Sequence, residues 1–188
     1  MSTIDPASAA SVIRTSRLDL RELDFNDAEF ILQLLNEPGF IRFIGDKGVR
    51  TLVDARDYLL KGPIESYRRF GFGLYRVGLR EDGTPIGMCG LVKREGLADV
   101  DVGFALQSRY WSRGYAVEAA AAVLDHGKRI LNLGRIVAIA NPDNQASIAV
   151  LEKIGLSFER MVRLSADAGE LKLFGPAPSG GRVPGGPA

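Results

Sequence analysis

In Asp99-Val100-Asp101-Val102-Gly103-Phe104 two aspartates alternate, and the two-residue period of a strand puts both carboxylates on one face, a solvated strand face or, at Asp101, a place to accept a proton. Farther along, Trp111-Ser112-Arg113-Gly114-Tyr115-Ala116 leaves this strand and opens a helix. Small residues at 112, 114 and 116 leave its backbone approachable, and a helix start offers up to four unpaired N–H groups and a partial positive charge. That suits a pyrophosphate, with Arg113 adding charge from the rim. An ordinary strand-to-helix turn with small residues for packing has the same composition. Thirty residues past Gly114, Asn144-Gln145-Ala146-Ser147 opens another helix, where Asn144 and Ser147 are capping groups or polar contacts to a ligand.

The rest of the chain excludes other chemistries. One histidine, His126, and one cysteine, Cys89, cannot supply the three or four ligands of a zinc site. No intrachain disulfide is possible, which fits a reducing cytoplasm. Cys89 lies in the apolar run Ile86-Gly87-Met88-Cys89-Gly90-Leu91-Val92 and reads as an inert core thiol; His126 reads as a solvated mid-helix imidazole. Phosphate-loop, dinucleotide, zinc-protease and calcium motifs are absent, and Gly155-Leu156-Ser157-Phe158-Glu159 lacks the second glycine of a nucleophile elbow. The 24 basic and 23 acidic residues, a net charge of +1, argue against nucleic-acid binding. No apolar run approaches the roughly 18 residues of a membrane span.

The elements that must position these groups form one domain over about 16–175 of the 188 residues. Residues 1–15 read as a flexible segment and 176–188, with eight Pro or Gly in thirteen, as a flexible tail. Arg17 to Arg21 alternates as a strand, and Phe30, Ile31, Leu34 and Leu35 define a helix that stops before Pro38-Gly39. Thr51-Leu52-Val53-Asp54 is a capping box opening a helix to about Arg69, interrupted near Gly62-Pro63. Strands follow over Phe72 to Arg80, Pro85 to Val92 and Asp99 to Leu106, with Asp82-Gly83 as a hairpin turn. A helix over Ala116 to Leu131, a strand over Arg135 to Ala140, a helix over Asn144 to Ile154 and a strand over Leu171 to Phe174 complete an α+β order.

Trp111 to Ala119, followed thirty residues after Gly114 by Asn144-x-x-Ser147 and Val150-Leu151-Glu152-Lys153-Ile154-Gly155, resembles the GCN5-related N-acetyltransferases (GNAT). Asn36-Glu37-Pro38, Arg42-Phe43-Ile44-Gly45 and Thr51 to Tyr58 are similar to the branch containing the ribosomal-protein N-terminal acetyltransferases. The resemblance covers about residues 14–175 and implies a mostly antiparallel twisted sheet flanked by helices, with a splayed parallel strand pair at the acyl-CoA site. It implies acetyl-CoA as cosubstrate and no metal, with contacts from Phe104, Ala105, Leu106, Trp111, Ser112, Arg113, Gly114, Tyr115, Ala116, Asn144 and Ser147. Gly103 to Leu106 would offer backbone groups to the pantetheine arm.

It places Asp101 where many relatives carry a glutamate base, and Ser147 near the sulfur as proton donor. Two departures stand out. Ser112 occupies a position that the family often fills with glycine, and Leu151 one where several members carry a tyrosine acid. The implied reaction is acetyl transfer to a primary amine, a protein N-terminus or a small molecule entering between Pro38–Asp46 and Ser165–Gly169, by a cytoplasmic monomer or homodimer without nucleic-acid or membrane partners. The alternative is a catalytically weak acetyl-CoA-binding sensor or partner module.

Overall fold

Alternation in Leu18-Asp19-Leu20-Arg21 sends Leu18 and Leu20 into the interior and Asp19 and Arg21 to the other side of the strand. The structure, a computed structural model, describes residues 10–177. Eight strands, β1 (Ser11–Arg14), β2 (Leu18–Glu22), β3 (Leu74–Leu79), β4 (Pro85–Val92), β5 (Val100–Leu106), β6 (Ile136–Ala140), β7 (Leu156–Val162) and β8 (Leu171–Pro176), lie in the order β1-β2-β3-β4-β5-β6-β8-β7. Every neighbouring pair is antiparallel except β5 and β6. That parallel pair is short. It joins Val100 to Ile136 and Asp101 to Val137, whereas β4 follows β5 through six residue pairs.

Each face of the sheet has its own core. On one, Leu18, Leu20, Val77, Ile86, Leu91 and Val102 pack with Ala119, Ala120, Val123 and Leu124 of helix α5 (Tyr115–Arg129), whose apolar residues recur at helical spacing. On the other, Phe30, Ile31, Leu34 and Leu35 of α1 (Ala28–Leu35) pack with Ala55 and Leu59 of α3 (Leu52–Leu59) onto Met88 and Ala105. Each fully buried Leu or Ile contributes about 1.5–3 kcal/mol, so these stripes fix the helices against the sheet. Cys89 is fully buried, and burial pushes its thiol well above the ordinary range, as an inert core residue requires. His126 is half-buried rather than solvated, and burial lowers its pKa.

Local signals explain several boundaries. Thr51 Oγ1 accepts from the Asp54 backbone at 3.1 Å while Asp54 accepts from the Thr51 backbone at 2.8 Å, closing the capping box of α3. Pro63 has no N–H to donate, and the helix passes it in a π-helical stretch, Leu60–Ile64, before resuming as α4 (Glu65–Phe70). Helix α1 ends at Leu35, before Pro38 as expected, and Pro38 then opens a further helix. It occupies the first turn of α2 (Pro38–Phe43), where a missing donor costs nothing.

Three strand expectations change. Ser11–Arg14, read as part of a flexible segment, pairs with β2. β7 was not visible in the sequence because it is an edge strand with exposed residues on both faces. Asp99 precedes β5 rather than starting it. The Pro/Gly-rich tail lies beyond Ala177, outside the described residues apart from Pro176 and Ala177. Helix α6 (Gln145–Lys153) connects β6 to β7.

Candidate active site

After β5 a 3-10 turn, Ser108–Tyr110, brings the chain to the α5 junction. Ser112 and Gly114 both adopt left-handed backbone conformations, with φ of 59° and 79°. Such a turn ahead of a helix gathers successive N–H groups into a concave nest. Gly114 caps α5 without a side-chain hydrogen bond, so the first-turn amides have no side-chain competitor for a ligand phosphate. Glycine reaches a positive φ freely; serine does so at a cost of about 1–2 kcal/mol.

The loop is held from two sides. Trp111 Nε1 donates to the Leu106 carbonyl at 2.7 Å, and its ring packs so closely over Gly39 that a Cβ there would sit 2.5 Å from the indole. Although 44% exposed, this side chain therefore works as a strut between β5 and α2. From the other side, Arg17 Nη1 donates to the Arg113 carbonyl at 3.0 Å, its Nε donates to Glu118 at 2.7 Å, and its guanidinium lies 4.5 Å above the Tyr115 ring. Glu118 also accepts from Thr15, Ser16 and the Arg17 backbone. Partial burial pushes this carboxyl upward, but these donors outweigh it and hold the pKa at about 2. Arg113 itself is exposed, as a rim residue would be, and Ala116 is half-buried on the first turn of α5.

At the far end of β5, Asp101 is only 1% exposed. Arg94, from the β4–β5 loop, donates from Nε to both carboxylate oxygens at 2.9 and 3.0 Å. Burial raises the Asp101 pKa above the ordinary carboxylate value, with Arg94 opposing the rise. Asp99 does not contribute, because it is turned to Arg135, which donates at 2.9 Å. Two further groups feel the Arg94 charge. Burial pushes the Tyr58 phenol up to about 12, and burial together with Arg94 lowers the Lys47 pKa. Lys47 and Tyr58 line a cleft of about 420 Å³ with Val49, Asp54, Asp57 and Lys61. Gly96, two residues after Arg94, packs directly on the Leu164 backbone at the edge of the Ser165–Gly169 loop. None of Arg94, Tyr58 and Lys47 stood out in the sequence; the only local signal is a basic residue in the loop before the Asp101 strand.

On α6, the Asn144 side chain accepts from the Ser147 backbone at 3.1 Å and so caps the helix. Ser147 is half-buried, and its hydroxyl bonds to no other described residue. Leu151, 1% exposed, belongs to the α5-side core and places no proton donor at the site. Phe104 is half-buried and packs on the same core, while Ala105 is buried on the opposite side and Leu106 gives its carbonyl to Trp111. Among the described residues no cluster of three or more His, Cys, Asp or Glu side chains is placed to hold a metal, and no helix is long and apolar enough to cross a membrane.

A mostly antiparallel sheet with one parting parallel pair and an uncapped helix start beside it defines an acyl-CoA transferase architecture. The chain belongs to the acetyltransferase (GNAT) domain family, matched over residues 17–157. It is 32% identical to the Bacillus subtilis (strain 168) uncharacterized N-acetyltransferase YnaD, covering 78% of this chain and 83% of that protein. It is 25% identical to the spermidine N(1)-acetyltransferase of Escherichia coli (strain K12), covering 74% of this chain and 73% of that one. In structure it resembles the ribosomal L7/L12 alpha-N-protein acetyltransferase RimL in complex with coenzyme A, with a TM-score of 0.76 at 19% identity over 88% of this chain and 97% of that one.

Proposed function

We propose that the protein moves an acetyl group from acetyl-CoA directly to a primary amine, with the cosubstrate lying in the slot between β5 and β6. The observation that carries this reading is the early end of their pairing. Beyond Asp101 the two strands part, and β5 continues unpaired on that side toward the uncapped start of α5. Backbone groups of Phe104, Ala105 and Leu106 would bind the pantetheine arm, and the 112–116 amides the pyrophosphate.

In the step itself the free amine attacks the thioester carbonyl carbon and the carbon–sulfur bond breaks. The proton lost by the amine passes to Asp101, directly or through water, and the departing thiolate takes a hydrogen bond and then a proton at Ser147 or solvent. The raised pKa of Asp101 supports its role, since a carboxylate at its ordinary value is a weak base at neutral pH. An α-amino group, with pKa about 8, costs about 1.4 kcal/mol to free at pH 7, against about 4.6 kcal/mol for a lysine. A modest base therefore suits an N-terminal amine or a small amine of low basicity.

Arg94 beside Asp101, with Lys47 within reach of the Arg94 charge, opposes a polycation, so we favour a singly charged acceptor over a polyamine such as that named for the Escherichia coli relative. A second reading, an acetyl-CoA-binding module with weak turnover, is favoured by the buried Leu151 and by the occupation of both Asp101 oxygens by Arg94. Thiol release measured with acetyl-CoA against N-terminal peptides, lysine peptides, polyamines and amino acids tests these readings. Release on N-terminal peptides or single amines supports transfer. A rise in melting temperature with acetyl-CoA and no release on any amine supports the module, and neither response contradicts both.

A further inference from the structure

At the opposite end of the sheet from Asp101, where β3 turns into β4 and β5 ends, a second cleft of about 430 Å³ opens beneath α1. Its walls carry three guanidinium groups, Arg21, Arg76 and Arg109, against two carboxylates, Asp27 and Glu29. The first of these pairs closes on itself. Arg21 donates to both oxygens of Asp27 at 2.7 and 2.8 Å, and Asp27 also accepts from the Asp24 backbone.

Arg76 is left over. Its side chain is 15% exposed, its Nη2 donates to the Gly83 carbonyl at 2.6 Å, and its buried Nε has no hydrogen-bond partner, lying 3.4 Å from an Asp27 oxygen already taken by Arg21. Burial and the neighbouring Arg21 charge together lower the pKa of Arg76, so the unliganded cleft disfavours the charge it carries. Arg109, exposed on the far wall, donates to the buried Gln107 at 2.9 Å. Nε is closed off from the cleft, but Nη1 makes no hydrogen bond to a described residue, and a ligand oxyanion is the chemistry that would complete this guanidinium there.

We propose that this cleft binds a compact oxyanion, a phosphate or carboxylate group of a small molecule, between Arg76 and Arg109. Its volume admits more than the bare anion, so the natural ligand carries the charged group on a small body. Arg109 lies in the Ser108–Tyr110 turn that leads into the 111–116 loop, and Glu37 at the start of α2 accepts from the Ser108 backbone. Occupancy therefore steadies the segment from which the proposed cosubstrate loop departs. This last consequence, and the use of CoA to cover the α5 helix start in the experiment, rest on the acetyl-CoA reading.

The test is thermal denaturation of the full chain titrated with sodium phosphate, and separately with sodium acetate, against sodium chloride at matched ionic strength. Saturating CoA is present throughout, to keep phosphate from the α5 helix start. The expected result is a saturable rise in melting temperature with at least one oxyanion, whose midpoint moves about tenfold higher in Arg109→Gln and which disappears in Arg76→Gln. Which anion responds tells phosphate from carboxylate. Arg109 is exposed, so that variant keeps the fold and remains informative should Arg76→Gln unfold. No saturable rise, or a rise unchanged in Arg109→Gln, overturns the proposal. Because melting needs no turnover, its failure is distinct from a failure of acetyl transfer.

Discussion

Arg94 reaches across from the β4–β5 loop to Asp101, so one nitrogen serves both oxygens of the carboxylate proposed to take the amine proton. Burial raises the pKa of that carboxyl and Arg94 restrains it. In Arg94→Gln the restraint is gone and the pKa rises further, so the acid limb of the kcat/KM profile should move to higher pH, with activity recovered on the alkaline side. The sign for stability follows from the raised folded pKa. Asp101 favours the folded state most below about pH 3.9, its unfolded value, and loses that contribution as the pH climbs through the folded value. A pH–rate profile for wild type and variant checks the first point. An unmoved acid limb would show that Arg94 does not govern the titrating group.

Glu118 joins residues about a hundred positions apart, from Thr15 to the first turn of α5. Its pKa of about 2 lies below the unfolded value, about 4.3, so its stabilisation is complete above pH 4.3 and is lost as the pH falls toward 2. Glu118→Gln should flatten the acid-denaturation curve over that window and cost about 1.5–3 kcal/mol at neutral pH, the range for hydrogen bonds to a charged group. It should also raise KM for acetyl-CoA severalfold with kcat little changed, because Arg17 then holds the Arg113 carbonyl less firmly.

Ser112 carries a positive φ that a glycine adopts without penalty. Ser112→Gly should raise the melting temperature by about 2–4 °C per kcal/mol recovered and leave KM for acetyl-CoA the same or lower. Ser112→Val should do the reverse on both counts. Calorimetry and steady-state kinetics on the pair decide whether the strain is relieved or whether the hydroxyl is needed by the ligand.

Gly39→Val should force the Trp111 ring away, since even a single Cβ at this position meets the indole. Release of the Leu106 carbonyl and of the loop strut should raise KM for acetyl-CoA, and Trp111 fluorescence, reporting the only tryptophan, should shift toward that of a solvated indole. An unchanged emission spectrum would show that the strut is not what holds the ring.

The parts of this fold legible in the sequence are those governed by local rules. The Phe30-Ile31-Leu34-Leu35 stripe, the Thr51–Asp54 capping box and the small-residue junction at 112–116 each announce themselves within a few residues, and each forms as expected. The parts that escaped depend on the tertiary neighbourhood. β7 shows no alternation of burial because every residue from Phe158 to Met161 is exposed, and Pro38 signals an end or a beginning with equal force until α2 is seen. In the site, Asp101 was visible as a lone candidate, but the identity of its partner was not. Asp99, two residues away, is taken by Arg135, and Arg94 arrives from a loop whose path no periodicity describes.

In the proposed reaction Asp101 carries the proton of the acceptor amine while the 112–116 loop holds the cosubstrate independently. Kinetics of Asp101→Asn alongside its affinity for acetyl-CoA test that division directly. The expected result is a fall in kcat of about a hundredfold or more, the usual worth of a general base, with the acetyl-CoA dissociation constant unchanged. A kcat equal to that of wild type would contradict it.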